Sequence, residues 1–355
     1  VKYEKHHRQV VKYYSEQKPE IIFEYDQPTL SERFSPMYGN LFAKVILRQV
    51  IENNIFNIIE IGAGRGQLAY DILNYIKKTN PNIFSKIKYK IVDVSPLLIN
   101  KKLRLKFFNV DEIIGDATKL PFKNSSQKAI IISNEMIADL PSEKINGRLY
   151  NSGVKVFLNE LKRVLKKGII NIVEYGKLSK STKLKLGSGR HYHYEVGINF
   201  KEFIYTANKL FKKVEYGNLG EFFNLNFSSE GINEKFSWDY LFFIKYHFNK
   251  IINIIIISKL DYFYSIFKNN CEYFEKLFFH IYKTKNMFFK KTINQMSFLC
   301  FILSKIIGRE FAKKIGMKFL SIEIKRINNH FNSICNAQIS KSGLTYFYTT
   351  IEVDF

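Results

Sequence analysis

Residues 58–66, Ile58-Ile59-Glu60-Ile61-Gly62-Ala63-Gly64-Arg65-Gly66, restrict the fold of this chain more than any other stretch. The β-branched run reads as a buried strand that ends in an acid, followed by glycines at alternate positions. Gln67–Lys78 then places Leu68, Ile72, Leu73 and Ile76 at helical spacing. Strand, glycine turn and helix in that order make the opening of a parallel β–α unit. Glycines in the turn let the backbone pass close to a ligand where a Cβ would collide. Two ligand classes use this geometry. A dinucleotide rests its pyrophosphate on the helix N-terminus behind a G-x-G-x-x-G spacing. Here the spacing is G-x-G-x-G, with Glu60 two residues before the first glycine. A carboxylate repels a pyrophosphate and suits a ligand bearing an ammonium or sulfonium charge.

The alternation of strand and helix continues from residue 55 to residue 216. Candidate strands are Asn57–Ile61, Tyr89–Val92, Glu112–Ile114, Ala129–Ser133 and Ile169–Val173. A second amphipathic helix, Val154–Leu165, is expected to stop at Lys166-Lys167-Gly168. Beyond Glu221 the texture changes to long Phe-, Ile-, Lys- and Asn-rich stretches without proline, which read as helices. Ser342–Phe355 alternates again, with Leu344, Tyr346, Tyr348, Thr350 and Glu352 in step, like a closing strand. The expected fold is α/β, a Rossmann-like sheet with helices on both faces and a mostly helical C-terminal appendage. The expected boundaries are 1–50 for an N-terminal helical or loop cap, 51–220 for the ligand-binding domain, 221–341 for the appendage and 342–355 for a possible closing strand.

Two further acids follow in strand order. Lys90-Ile91-Val92-Asp93 puts a carboxylate at the end of the second strand, where it can accept from both hydroxyls of a ribose. Gly115-Asp116-Ala117-Thr118-Lys119-Leu120-Pro121-Phe122 comes after the third strand and resembles a loop of the class I S-adenosylmethionine-dependent methyltransferases. That resemblance implies that Asp116 accepts from the adenine amino group and that the backbone of Ala117 completes the contact. It also implies S-adenosyl-L-methionine as cofactor, held by Glu60, Gly62, Ala63, Gly64, Gly66, Asp93, Val94, Asp116, Ala117 and Asn134.

A narrower resemblance, over residues 30 to 220, is to the MidA-like methyltransferases. It is carried by Phe34-Ser35-Pro36-Met37-Tyr38-Gly39, by the Glu60–Gly66 turn with its Arg65, by Val92-Asp93-Val94-Ser95-Pro96, and by Asn134-Glu135 through Leu140-Pro141. Ile172-Val173-Glu174-Tyr175-Gly176 is similar to that family's strand ending in acid-Tyr-Gly. The chain departs from the family pattern at Ala63, Asp93, Ala138-Asp139 and Glu174, and the last two lie on the acceptor side. Mitochondrial members are protein arginine methyltransferases linked to respiratory complex I assembly. The resemblance therefore implies an arginine of a protein or peptide as acceptor, with methyl transfer to nitrogen. Carboxylates pair with a guanidinium in a fork geometry that aims one nitrogen, which makes Glu135 and Asp139 the expected catalytic residues, with Glu174 in reserve. His191, in Arg190-His191-Tyr192-His193-Tyr194 after a Gly187-Ser188-Gly189 loop, is a candidate base. Two alternatives stand beside this reading: a small-molecule O- or N-methyltransferase, and a non-catalytic assembly protein that retains the fold.

A net charge of +23 suits an anionic partner, but the lysines are spread along the whole chain in no arginine-rich block. Compositional drift toward Lys, Asn, Ile, Phe and Tyr accounts for them better than nucleic-acid binding does. Cys271, Cys300 and Cys335 are too far apart for a CxxC pair, which favours a reducing compartment, cytoplasm or mitochondrial matrix, and no metal site. His191 and His193 lack further ligands at metal-site spacing, and the His6-His7 pair reads as a solvated terminus. The apolar runs Ile251–Ile257 and Ser297–Ile307 are shorter than the roughly 20 residues of a membrane span and read as buried helix faces.

Overall fold

In chain order the elements are helices α1 (Tyr3–Glu16), α2 (Leu30–Arg33) and α3 (Met37–Asn53); strand β1 (Asn57–Ile61); α4 (Gln67–Thr79) and α5 (Pro81–Phe84); β2 (Lys88–Asp93), β3 (Val110–Ile114), β4 (Gln127–Asn134), β5 (Glu143–Ile145) and β6 (Arg148–Tyr150). They continue with α6 (Ser152–Val164), β7 (Leu165–Lys177), β8 (Thr182–Ser188), β9 (His191–Asn199), α7 (Phe200–Leu210), β10 (Lys213–Gly217), α8 (Leu219–Phe222) and β11 (Thr345–Val353). The computed structural model describes residues 3–16, 22, 29–99, 103, 106–178, 181–188, 191–225, 331–337 and 345–353. The chain divides into two compact units, Val1–Asn226 with Ile334–Phe355 and Phe227–Ser333, and every element named above belongs to the first.

The main sheet runs β3-β2-β1-β4-β7-β11-β10. Strands β3, β2, β1, β4 and β7 are parallel. β11 is antiparallel to both of its neighbours, β7 and β10. The β8–β9 hairpin joins the end of β7 through β9. Parallel strands covered on both faces must be apolar throughout, and Ile58, Ile59, Ile130, Ile131, Ile132, Ile170, Ile172 and Val173 are all fully buried. On one face Ile131, Ile170 and Ile172 share a core with Phe157, Leu158 and Leu161 of α6 and with Phe200 and Phe203 of α7. Asn171 points to the other face, where its amide pairs reciprocally with Gln49 of α3 at 3.0 and 2.8 Å. β11 buries Phe347, Thr349, Ile351 and Val353, and the Phe347 ring lies 3.9 Å from that of Phe200.

Two local expectations are corrected. Lys166-Lys167-Gly168 does not stop a helix beyond Leu165: α6 ends at Val164 and the chain enters β7 at once, with Leu165 paired to Gln127 and Gly168 to Ala129. A Cβ on Gly168 would stand 1.9 Å from the Ala129 carbonyl oxygen, so this glycine serves close strand approach. Of the expected Gly187-Ser188-Gly189 loop, Gly187 and Ser188 belong to strand β8, where Ser188 pairs with His191 of β9, and Gly189 lies outside the described residues.

Most of the expected appendage, with Ile251–Ile257, Ser297–Ile307, Cys271 and Cys300, lies outside the described residues. Cys335 is a buried free thiol. Among the described residues no helix is long and apolar enough to cross a membrane.

Gly168→Ala should cost about 3 kcal/mol, because the Ala129 carbonyl cannot yield without opening the β4–β7 ladder. Denaturant unfolding should show the loss, with Gly147→Ala, whose Cβ would meet nothing within 4 Å, as the comparison.

Candidate functional site

The strand order reverses between β1 and β4, so the chain leaves their C-terminal ends in opposite directions and a crevice opens there. It encloses about 970 Å³, the open mouth included. Its floor is the glycine turn. Gly62, Gly64 and Gly66 have φ of +73°, +54° and +76°, the left-handed region that favours glycine. A Cβ on Gly62 would also lie 2.1 Å from Met136 Cγ, so the turn can close under Met136 only without a side chain. Gly62, Ala63 and Gly64 line the cleft, whereas Gly66 stands back from it as the residue before α4. Arg65 turns aside to make a bidentate pair with Glu32, at 2.7 and 2.5 Å.

Glu60, Asp93 and Asp116 each sit at or just past the C-terminal end of a strand, and all three line the cleft. Glu60 is buried and accepts from Tyr89 Oη at 2.6 Å; burial pushes its carboxyl up to about 8. Asp93 accepts from the Gly64 N–H at 2.9 Å and from the Ser95 N–H at 2.9 Å. Burial raises Asp93 to about 6, with those backbone donors opposing. For Asp116, burial works upward too, but hydrogen bonds from His7 and Thr118 outweigh it and hold the carboxyl at about 2. Val94 and Ala117 line the cleft beside their acids.

At the end of β4, Asn134 lines the cleft and accepts from Tyr38 Oη at 2.5 Å. Glu135, at φ +52°, also lines it. Its carboxylate accepts from the Leu30 N–H at 2.5 Å, from the Asn134 amide at 3.3 Å and from Tyr346 Oη at 3.0 Å. Burial pushes it up to about 7 despite these donors. Asp139, closing a short 3-10 turn (Ile137–Asp139), faces the same cleft and accepts from Tyr14 Oη at 2.7 Å. Glu174 does not reach the cleft. It is fully buried and spends its oxygens on the N–H groups of Ala138 and Tyr175, at 3.0 and 2.9 Å, holding the 3-10 turn in place. His191 opens β9, and its side chain lies outside the described residues.

The reading of His6-His7 as a solvated terminus is overturned, because α1 carries both into the structure. His6 is 1% exposed. Its Nδ1 accepts from the Ser142 N–H at 3.0 Å, so Nε2 carries the proton and donates to the Tyr194 carbonyl. His7 Nε2 donates to Asp116 Oδ2 at 2.8 Å. The Tyr14 carbonyl accepts from Ser95 Oγ at 2.7 Å. His7, Val10, Val11 and Tyr14 therefore line the cleft. Nothing in local sequence marks them, since their partners lie some 80 to 190 positions away. The adjacent histidines were the one available signal.

Residues 39–149, the segment that holds the turn and all three strand-end acids, match the family model described as "Putative S-adenosyl-L-methionine-dependent methyltransferase". No curated protein matches the chain. Among solved structures it is similar to a COG1565 superfamily member from Burkholderia thailandensis bound to S-adenosyl-homocysteine, at 12% identity over 63% of this chain and 76% of that one, TM-score 0.46. It is also similar to the 1,6-didemethyltoxoflavin-N1-methyltransferase of the same organism, at 11% identity over 50% and 68%, TM-score 0.35. A further similarity is to the [4+2]-cyclase SpnF, at 11% identity over 89% and 81%, TM-score 0.39. The matched segment is similar to that of S-adenosyl-L-methionine-dependent methyltransferases, enzymes of the transferase class. The cleft fits that cofactor: its floor admits close backbone approach, and among the described residues the buried Glu60 has no cationic partner, which an ammonium would supply.

The buried acids make stability depend on pH. Glu60, Asp71, Asp93 and Glu135 have folded values of about 8, 7, 6 and 7, above ordinary values of 4.5, 3.8, 3.8 and 4.5. The folded chain thus binds more protons than the unfolded one between those limits, and stability falls as pH rises through the window. Asp116 acts in the opposite sense, below pH 4. The melting temperature of the free protein should be higher at pH 5.5 than at pH 8, and Glu60→Gln should raise it at pH 8 and flatten the slope.

Proposed function

We propose that this chain methylates a nitrogen that arrives as a cation, a guanidino or amino group, with an arginine of a protein or peptide as the first-choice acceptor. The observation that carries the reading is the convergence of six carboxyl groups on one cleft of a chain whose net charge is +23: Glu32, which is engaged by Arg65, and Glu60, Asp93, Asp116, Glu135 and Asp139. Low-dielectric walls lined by one sign of charge focus the field on an opposite charge. Glu60 would hold the cofactor's ammonium, Asp93 its ribose hydroxyls and Asp116 its adenine amino group. The bound cofactor supplies a methyl group already activated on a sulfonium.

What remains for the protein is positioning and the proton. Holding a nucleophile in line, away from water, contributes up to about 7–11 kcal/mol toward such reactions. Asp139, fixed by Tyr14, and Glu135, fixed by Leu30 and Tyr346, form the acceptor end. Glu135 is the better proton acceptor, because a carboxylate raised to about 7 is matched to a base working near neutral pH. The Val10, Val11 and Tyr14 wall favours a second reading, a compact small-molecule amine.

Incubation with S-adenosylmethionine labelled in the methyl group, in a lysate separated into protein and small-molecule fractions, decides between the two acceptors. Label in protein, removed by Glu135→Gln with cofactor binding intact, is the expected result; label confined to small molecules supports the second reading. Calorimetry tests the cofactor assignments with S-adenosylhomocysteine. Asp93→Ala should bind at least about 30-fold more weakly, the equivalent of one charged hydrogen bond near 2 kcal/mol, and equal binding would remove the ribose assignment. At pH 7 binding should release a proton, since an ammonium beside Glu60 favours the ionised form, and Glu60→Gln should abolish that release.

A further inference from the structure

We propose that His7 of helix α1 is a cofactor-positioning residue, which presents the Asp116 carboxylate to the adenine amino group and so makes base selectivity depend on the N-terminal helix. The inference rests on the cofactor reading above and adds a residue that the glycine turn and strand-end acids do not include. A carboxylate offers about four acceptor positions. Three on Asp116 are taken: Oδ1 accepts from the Thr118 N–H and the Thr118 hydroxyl, both at 2.7 Å, and Oδ2 accepts from His7 Nε2 at 2.8 Å. These donors come from two directions, the loop after β3 and the helix α1, so the carboxylate plane is pinned at both oxygens. One acceptor position remains. The pair also stays open to the cleft, with side chains 28% and 31% exposed, and both residues line it.

The helix that carries His7 is itself held at further points around the cleft. His6 reaches Ser142 and Tyr194, the Tyr14 carbonyl accepts from Ser95, and Tyr14 Oη donates to Asp139. One of those contacts, Ser95, falls two residues after Asp93, a strand-end acid assigned to the cofactor. Helix α1 is thereby a wall of the nucleoside site, with His7 as its reading head.

The test compares two ligands by calorimetry on the full chain: S-adenosylhomocysteine, and S-inosylhomocysteine, whose 6-oxo group cannot donate to Asp116. Wild type should prefer the adenine form. His7→Ala should weaken S-adenosylhomocysteine about tenfold and leave S-inosylhomocysteine within twofold, so that the preference collapses. His7→Gln, which keeps a donor of similar reach, should restore most of it. Should His7→Ala fail to fold, His7→Asn, polar but too short to reach Asp116, should give the same selective loss. An equal loss on both ligands would overturn the proposal in favour of a merely structural helix. A gain in S-adenosylhomocysteine affinity would overturn it in favour of a competing latch. No binding to wild type would instead remove the cofactor reading on which the proposal stands.

Discussion

The hydrogen bond from the Gly64 N–H to the Asp93 carboxylate, 2.9 Å long, ties together the two features on which the cleft depends. It fastens the glycine turn after β1 to the acid that ends β2. The same carboxylate takes the Ser95 N–H, so the loop after β2 is folded around it as well. Asp93 is thus buried with its backbone donors built in, while its neighbour Glu60 accepts from a phenol and, among the described residues, meets no cation. The two acids lie at the C-terminal ends of adjacent parallel strands, and burial raises both, with repulsion from Asp93 adding to it for Glu60 and repulsion from Asp139 for Asp93.

The central sheet could be read from sequence, since parallel strands buried on both faces announce themselves as apolar runs bounded by turns. Asn57–Ile61 and Ala129–Ser133 are of this kind; the strand found at the first has those bounds, and the one at the second extends them to Gln127–Asn134. The failures have physical causes. Lys166-Lys167-Gly168 looks like a helix stop because the exposed lysines and the glycine satisfy a local rule. What the glycine answers is the Ala129 carbonyl, a partner on another strand that no local rule sees. Glu174 looks like an acid for chemistry because it ends a strand as Glu60 nearly does. It is consumed by two backbone N–H groups instead. The strand-end acids came out of spacing; Tyr14, Tyr89, Tyr346 and His7, which partner them, came only from three-dimensional proximity.

Charge is distributed unevenly between the whole chain and its cleft. The net charge is +23, yet the cleft gathers six carboxyl groups, and of the positive side chains lining it Arg65 is engaged by Glu32 and His7 by Asp116. A positive net charge on the chain would repel a cationic ligand at long range, while the carboxyl groups of the cleft attract it at short range. Salt screens the first effect within about 8–10 Å and spares the buried second. Ionic strength should therefore matter more to the rate of capture than to the strength of retention.

The position of β11 bears on synthesis. This strand lies between β7 and β10, hydrogen-bonded to both, yet it is formed by residues 345–353, while β10 ends at Gly217. A chain emerging from the ribosome reaches the end of β10 with one edge of β7 and one edge of β10 still open, and both stay open until residues 345–353 follow. Unpaired edges of this kind invite pairing with other chains. The growing polypeptide thus has a vulnerable interval that lasts for the translation of residues 218–344, and occupancy by a holding chaperone during that interval would protect it.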